Sequence, residues 1–293
     1  MGHSSSEPSG EGRSVGVVGV GDLGRPMAER LASAGFSLGV FDTRSEAMAL
    51  PGAAPAASVR ELAGRVRALV LVVAMDKQLE AVVEEALAAR PRPGVLIVHS
   101  TVHPRTVREL GARCAEQGVL LLDAPVTGGS AAARNGVLTA FVGGDAAALE
   151  VARPILAAYC RRIEHVGELG AGQTSKIINN AMSIINTMVG IEVERIIEGL
   201  GMDFESVRLG IVAGGTGGSR ALAGTDSEGF GTPWSSRRRM LDIVPGQVRS
   251  GIGAKDVGHA LSLAKEAGVE TPVITAAVAT LQALDELSRK QNS

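Results

Sequence analysis

The feature that most constrains the fold is a short apolar run that leads directly into three closely spaced glycines. Val15 to Val20 predicts a buried strand, and apolar residues recur at helical spacing behind the glycines. Gly19, Gly21 and Gly24 form the pattern GxGxxG. Its first glycine permits a tight turn, its second lets the backbone approach a pyrophosphate, and its third allows the helix to pack closely on the strand. The segment therefore predicts a strand, a turn and a helix that together bind a dinucleotide.

The end of the next strand is expected to select the cofactor. A second apolar run, Ser37 to Phe41, ends in Asp42, whose carboxylate can accept both ribose hydroxyls of an adenosine. A carboxylate repels the 2′-phosphate of NADP, whereas the guanidinium of Arg44 can either bind that phosphate or lie in solvent. We therefore expect NAD to be preferred, with NADP as the open alternative. The expected cofactor contacts in this region are Gly19, Val20, Gly21, Asp22, Leu23, Gly24, Asp42, Thr43 and Arg44.

Strand and helix patterns then alternate. Strands are predicted at 68–73, 95–98, 119–122, 137–142 and 162–166, and helices at 78–89, 104–117 and 145–159. Such alternation predicts right-handed crossovers and a doubly wound parallel sheet, an α/β fold that binds ligands at the carboxyl ends of its strands. Met75 follows one strand and is expected near the cofactor, and Ser100 follows the next and is expected near the substrate. His99, beside it, is interpreted as structural.

A long apolar helix follows this region. The segment from Gly170 to Gly201 is apolar on nearly every face, which predicts a buried helix of about 28 residues passing from one domain to the next. Lys176 and Asn180 stand four residues apart, so one face of the helix offers an ammonium and an amide to a common point. Further helices are predicted at 204–213, 236–243, 255–267 and 273–288, with no strand pattern among them.

These patterns predict a three-part organisation. Residues 1–14 are expected to be a disordered tail, 15–169 a dinucleotide-binding Rossmann domain, and 170–293 an all-helical substrate and dimerisation domain joined to it by the long helix. Residues 212–233 are rich in glycine and show no periodicity.

Composition argues against several classes of function. The net charge is −2 with no basic stripe, which gives no electrostatic reason to expect nucleic acid or an anionic membrane as a partner. Cys114 and Cys160 stand singly, and His, Asp and Glu do not cluster at ligand spacing, so neither a metal site nor a disulfide framework is expected. Residues 1–14 lack the apolar stretch of a signal peptide. A cytoplasmic location is the expectation.

Four ordered motifs resemble the β-hydroxyacid dehydrogenase family, which includes 3-hydroxyisobutyrate, tartronate semialdehyde and threonate dehydrogenases. They are GVVGVGDLGRPMAERL at the first glycine turn, DAPVTGG from Asp123, GAGQTSKIINN from Gly170, and the pair Lys255-Asp256. The resemblance implies a Rossmann domain followed by an all-helical domain through which the chain dimerises.

The resemblance also implies roles for individual residues. Lys176 matches the catalytic lysine of the family, and Asn180 matches an asparagine that holds the substrate. The substrate carboxylate is expected at Thr127, Gly128 and Gly129, where relatives more often carry a serine than this threonine. Thr101 and Lys255 match residues that contact the cofactor.

Two departures from the family concern the substrate pocket. Ala74 to Lys77 replaces the Met-Leu-Pro turn that relatives commonly carry, and the connection between Met240 and Lys255 is shorter than in threonate-type relatives. The leading hypothesis is an NAD-dependent dehydrogenase of a small 3-hydroxy acid, equivalently a semialdehyde reductase. An imine reductase and a non-catalytic dinucleotide-binding scaffold are the alternatives, and the retained Lys176 argues against the second.

Overall fold

The structure is a computed structural model that describes residues 13–213 and 252–291. The chain divides into two compact units, one ending at Lys176 and one beginning at Ile177, which we call the sheet unit and the helical unit. The expected tail up to residue 12, the expected helix at 236–243 and most of the glycine-rich segment lie outside the described residues.

The described strands of the sheet unit form one sheet in the order β3-β2-β1-β4-β5-β6-β8-β7, with β9 paired to β8. Neighbouring strands from β3 to β6 are parallel. β8 runs antiparallel to both β6 and β7, a reversal that the sequence pattern did not indicate. The strands are β1 (Ser14–Val18), β2 (Ser37–Phe41), β3 (Ala53–Pro55), β4 (Ala68–Leu71), β5 (Val95–Val98), β6 (Leu120–Asp123), β7 (Val126–Thr127), β8 (Leu138–Gly143) and β9 (Cys160–Gly167).

Helices cover both faces of this sheet, and each face has its own apolar core. One core joins Val17 and Val70 to Met27 and Leu31, and the other joins Leu69 to residues of the opposite helices. β4 and β5 are buried along their whole length, as expected for parallel strands covered on both faces. The helices of this unit are α1 (Gly24–Ser33), α2 (Val59–Arg65), α3 (Asp76–Leu87), α4 (Pro104–Glu116), α5 (Gly129–Asn135) and α6 (Ala146–Leu156).

The short elements β3, α2, β7 and α5 were not predicted from the sequence. A signal for α2 was present, because Ser58 and Glu61 have the spacing of a capping box. The Ser58 side chain accepts from the amide of Glu61, and Glu61 accepts from the amide of Ala57. Elements this short carry too few residues to show a hydrophobic period.

The helical unit contains only helices among its described residues. The long helix α7 (Ala171–Gly199) begins in the sheet unit and ends in the helical unit, and it is followed by α8 (Phe204–Ala213), α9 (Ile252–Glu266) and α10 (Pro272–Gln291). Val257 of α9 packs with Ala277 and Leu281 of α10 and with partly buried residues of α7. Within residues 13–213 and 252–291, no helix combines the length and hydropathy that a membrane-spanning segment needs.

Candidate active site

The glycine turn connects β1 to α1 in a conformation that larger residues cannot adopt. Gly19 has φ +89°, and a Cβ there would lie 2.1 Å from the carbonyl oxygen of Val72. A Cβ on Gly24 would lie 1.9 Å from the carbonyl oxygen of Gly19. A Cβ on Gly21 would meet only the Arg44 guanidinium, at 3.5 Å. The turn is therefore compact on its inner side and open at Gly21, which fits the close approach of a pyrophosphate.

Asp42, at the end of β2, ties the turn to the adjacent loop. Its Oδ2 accepts from the amide of Val20 at 2.9 Å, and its Oδ1 accepts from the amide and Nε of Arg44 at 3.0 and 3.2 Å. Partial burial by itself would raise the pKa of Asp42, but the bonds from Arg44 and Val20 outweigh it and hold the pKa below its usual value. Asp42 is therefore ionised at neutral pH, and its hydrogen bonds to Arg44 fix the position of its carboxylate.

A cavity of about 500 Å³ opens beside this turn. Arg44 lines it, and the Arg44 side chain is 59% exposed, whereas the Asp42 side chain is 9% exposed. Val20, Gly21 and Asp22 line the turn side of the cavity. Arginine and acidic side chains both line the cavity: Arg25, Arg134, Asp22, Glu29 and Glu46. Its volume and its arginines suit the phosphate and ribose groups of a dinucleotide.

The loops after β4 and β5 are tied to each other. The Ser100 hydroxyl accepts from the amide of Val73 at 2.9 Å. Asp76, inside the unusual Ala74 to Lys77 turn, accepts from the amide of His103 at 3.0 Å and from the Thr106 hydroxyl at 2.8 Å. This departure from the family therefore has a structural role, because Asp76 joins the first turn of α3 to the first turn of α4.

His99 is a buried structural residue. Its Nδ1 bonds to the carbonyl of Ala124, and its Nε2 bonds to the Tyr159 hydroxyl at 2.9 Å. Burial lowers its pKa to about 4, so the ring is neutral at physiological pH. The interpretation of His99 as structural is confirmed by these contacts.

The start of α7 is anchored by a carboxylate from the end of β6. Asp123 is fully buried, and its two oxygens accept from the amides of Gly170 and Gln173 at 2.8 and 2.7 Å. Burial raises its pKa to about 6, and the two bonds oppose that rise. The sequence pattern predicts Asp123 at a strand end but indicates no partner for it, and the pattern does not single out Gln173. A polar residue directly after a Gly-Ala-Gly run at a helix start was the available signal.

The predicted carboxylate loop is a strand end followed by a helix start. Thr127 pairs with Thr139 in the antiparallel ladder of β7 and β8, and α5 begins at Gly129. Gly128 and Gly129 have φ values of +123° and +71°, which strongly favour glycine. The Thr127 side chain is half-buried and Gly129 is exposed.

The polar face of α7 has a partner in the helical unit. Asn180 donates its side-chain amide to Oδ2 of Asp256 at 2.7 Å, and Nζ of Lys255 lies 3.5 Å from the other oxygen of Asp256. The pair Lys255-Asp256 was noted in the sequence, but Asp256 was not assigned a role. The structure shows that Asp256 orients Asn180.

The expected site residues fall into two groups. The sheet unit holds the glycine turn with the neighbouring Leu23 and the exposed Asp22 and Thr43, the strand-end residues Met75, Ser100 and Thr101, the Thr127 to Gly129 segment, and half-buried Lys176. Asn180 and Lys255 belong to the helical unit. In the part of the chain that the structure describes, no three His, Cys, Asp or Glu side chains are arranged to hold a metal ion.

Known proteins match the chain over both units. Residues 14–167 match the NAD binding domain of 6-phosphogluconate dehydrogenase, and residues 170–292 match the NAD-binding domain of NADP-dependent 3-hydroxyisobutyrate dehydrogenase. The chain is 33% identical over 274 residues to the NAD-dependent L-serine dehydrogenase of Pseudomonas aeruginosa, covering 89% of this chain and 88% of that protein. It is also 33% identical over 276 residues to the L-threonate dehydrogenase of Cupriavidus necator, covering 90% and 88%.

A solved structure supports the same relationship. The 3-hydroxyisobutyrate dehydrogenase of Mycobacterium tuberculosis with L-serine superposes with a TM-score of 0.79 at 27% identity, covering 93% of each chain. Together with the glycine turn, these matches mean that the chain is a member of the β-hydroxyacid dehydrogenase family and an NAD(P)-dependent hydroxyacid dehydrogenase.

Proposed function

We propose that the protein oxidises a small 3-hydroxy acid, or in reverse reduces its semialdehyde, with Lys176 as the general acid/base. The observation that carries the proposal is the attachment of the start of α7 to the end of β6 through Asp123. This attachment holds the helix that carries Lys176 at the carboxyl end of the sheet, the edge at which ligands bind in such folds.

The cofactor and the lysine have separate tasks in this proposal. Bound NAD(P) supplies the acceptor for the hydride that leaves the alcohol carbon. The glycine turn, Asp42 and Arg44 hold the cofactor, with Met75, Thr101 and Lys255 as further contacts. Lys176 takes the proton of the substrate hydroxyl during oxidation and returns it during reduction.

The substrate is expected to carry a carboxylate that one carbon separates from the reacting alcohol carbon. The Thr127 hydroxyl and the backbone amides of Gly128 and Gly129 are donors suited to that group, with Ser100 as a further expected substrate residue. Asn180 stands one helical turn after Lys176, and its amide is oriented by Asp256. The relatives named for L-serine and L-threonate act on hydroxy acids, which supports the same substrate class.

A substrate panel tests this function. The absorbance of reduced cofactor at 340 nm is followed with small 3-hydroxy acids, with 2-hydroxy acids and with amines, each with NAD and with NADP. We expect turnover with 3-hydroxy acids alone. Turnover with amines alone would favour the imine reductase alternative, and no turnover with any compound would favour the non-catalytic scaffold.

Substitution of Lys176 tests the assignment of the acid/base. Lys176→Ala is expected to lower kcat by about 10²–10⁴-fold and to leave cofactor affinity nearly unchanged, because the glycine turn holds the cofactor. Ser175→Ala, at the neighbouring position of α7, is the control. Near-normal turnover by Lys176→Ala on the true substrate would contradict the assignment.

We also propose that the protein is a homodimer through its helical unit. The exposed side chains of Ile178, Met182 and Val189 lie on α7, and burying such surface contributes roughly 25 cal/mol per Å². A two-fold axis is the commonest way for identical chains to cover it. Sedimentation at micromolar concentration should give twice the chain mass, with Met182→Glu shifting the distribution towards monomer. A monomeric wild type would refute the assembly.

A further inference from the structure

Two fully buried polar side chains, Asp123 and Gln173, connect three segments of the sheet unit. Both have 0% exposure. Asp123 binds the amide of Gln173, and the Gln173 side chain extends to the loop after β5, where it donates to the carbonyl of Ser100 at 2.8 Å and accepts from the amide of Val102 at 3.0 Å. All the polar atoms of these two side chains thus have partners, as buried polar groups require.

The cap on α7 comes from a distant part of the chain. The first amides of a helix are commonly satisfied by a local Ser, Thr, Asp or Asn at the N-cap. Here Gly170 precedes the helix, and the acceptor is Asp123, 47 and 50 positions before the two amides it binds. A local cap would stabilise the helix by itself, whereas this distant cap also holds the helix in one position relative to β6.

Glycines make room for this arrangement. A Cβ on Gly143 would lie 2.4 Å from Oδ1 of Asp123, and a Cβ on Gly172 would lie 2.5 Å from the carbonyl oxygen of Phe141. The end of β8 and the first turn of α7 therefore pack against Asp123 with no space for a side chain. A contact this close leaves little freedom for the helix start to shift.

The residues joined in this way flank those proposed to act on the substrate. Thr101 lies between Ser100 and Val102, which Gln173 binds, and Thr127 follows four residues after Asp123. Lys176 lies three residues after Gln173, in the next turn of α7. A shift of the helix start would move the lysine relative to the loops after β5 and β6.

We propose that Asp123 and Gln173 are positioning residues, which hold the first turns of α7 against the loops after β5 and β6 so that Lys176 keeps its reactive alignment. The proposal rests on the proposed role of Lys176. Neither side chain is placed in contact with the substrate, so both act through the lysine and the loops. A misplacement of about 1 Å can lower a reaction rate by about 100-fold, which is the scale on which such residues act.

Three variants test the proposal: Gln173→Met, which keeps the side-chain length and removes its hydrogen bonds, Asp123→Asn, and the double variant. Gln117→Met is the matched control, because Gln117, directly after the end of α4, makes an exposed bond to Arg92. Cofactor-binding stoichiometry measures the folded fraction, so that turnover is expressed per folded site. If Asp123→Asn fails to fold, Gln173→Met still decides the outcome.

We expect kcat per folded site to fall about 10- to 100-fold in each single variant, with cofactor affinity changed less than about twofold. The deuterium isotope effect on kcat, with the substrate labelled at the alcohol carbon, should rise because hydride transfer becomes slower than product release. Because the two residues act as a unit, the double variant should lose little more than either single variant. Hydrogen exchange at the amides of Gly170 and Gln173 should accelerate in Asp123→Asn.

The opposite results would overturn the proposal. Gln173→Met with unchanged kcat and isotope effect per folded site would show that the bonds serve stability only. Independent, multiplicative losses in the double variant would show that Asp123 and Gln173 do not act as one unit, which also contradicts the proposal. Failure of the proposed function is recognised separately by Lys176→Ala. An active Lys176→Ala removes the function and this inference together, whereas an inactive Lys176→Ala with a normal Gln173→Met removes this inference alone.

Discussion

The sheet unit and the helical unit use apolar residues differently. In the sheet unit, two cores enclose the strands, and large side chains such as Met27, Leu71 and Tyr159 are fully buried. Among the described residues of the helical unit, the buried clusters are small and centre on Ile177, Val257 and neighbouring alanines, while large apolar side chains on α7 and α8 are exposed. A sheet that helices cover on both faces buries its own apolar side chains. The described helices of the helical unit instead leave apolar surface exposed, and this surface is available for further packing.

Buried polar groups differ between the units as well. Asp123 in the sheet unit binds two backbone amides, whereas Asp256 in the helical unit binds the side chains of Asn180 and Lys255. Backbone donors of packed elements can move little, but a side chain can change rotamer. We therefore expect the contacts of Asp123 to be more rigid than those of Asp256.

The largest expected effect tests the tight packing of the sheet unit. Gly172→Ala would place a Cβ 2.5 Å from the carbonyl oxygen of Phe141 and 2.7 Å from that of Asp123, and backbone atoms there cannot retreat. We expect a loss of roughly 3 kcal/mol or more in the free energy of unfolding. Urea denaturation measures it. A loss below about 1 kcal/mol would show that the sheet unit adapts as easily as the helical unit.

The next effect concerns buried titratable groups of the sheet unit. The pKa of Asp123 is raised to about 6 by burial, so its contribution to stability is present below pH 3.8 and is lost as pH rises through 6. The pKa of His99 is lowered to about 4 by burial, so its contribution is present above pH 6.5 and is lost as pH falls through 4. The two contributions oppose each other between pH 4 and 6.

In a variant that lacks the Asp123 carboxylate, the pH dependence of stability caused by His99 should no longer be offset. Asp123→Asn is expected to lose roughly 2–3 kcal/mol of unfolding free energy between pH 6.5 and 4, beyond any change in the wild type over the same range. Urea denaturation at pH 4, 5 and 6.5 measures the slopes. If the unfolding free energy of the variant and of the wild type changed equally with pH, Asp123 and His99 would not make opposite contributions to stability.

Cofactor selection tests whether the sheet unit alone sets specificity. The carboxylate of Asp42 repels a 2′-phosphate, so we expect kcat/KM to favour NAD over NADP by about tenfold, equivalent to about 1.4 kcal/mol. Asp42→Asn should lower that ratio, and Arg44→Ala should raise it, because the guanidinium is the group that can bind the phosphate. A wild type that favours NADP tenfold would promote Arg44 to the determinant of specificity.

The smallest effect tests the looseness of the helical unit. Gly210 lies on the exposed side of α8, and a Cβ there would meet no atom within 4 Å. Gly210→Ala is expected to raise the free energy of unfolding by about 0.5–1 kcal/mol, because alanine favours the helix. A destabilised Gly210→Ala would show that this surface is packed in the assembled protein. The helical unit would then be packed more like the sheet unit.

Much of the fold was predictable because its determinants are local. The strand Ser37–Phe41 and the helix Phe204–Ala213 have the bounds that the patterns predicted, and the long helix differs by only one or two residues at each end. The glycine turn could be recognised because its backbone requirements fall within six residues. Periodicity and turn chemistry act over such short distances.

The connections within the candidate site were not predictable in the same way. Asp123 binds amides 47 and 50 residues away, and Asn180 binds Asp256 across 76 positions. The reversal of β8 and the pairing of Asp76 with the start of α4 also join distant segments. No local pattern indicates which of many polar residues will meet.

The sequence by itself therefore determined the dinucleotide turn, the alternating strands and helices, and the family, because each depends on residues near one another in the chain. Only the tertiary structure decided that Asp123 caps α7, that Asp76 joins two helix starts and that Asp256 orients Asn180. The physical reason is that a buried polar group must find a partner, and the partner within reach is set by how the strands and helices pack.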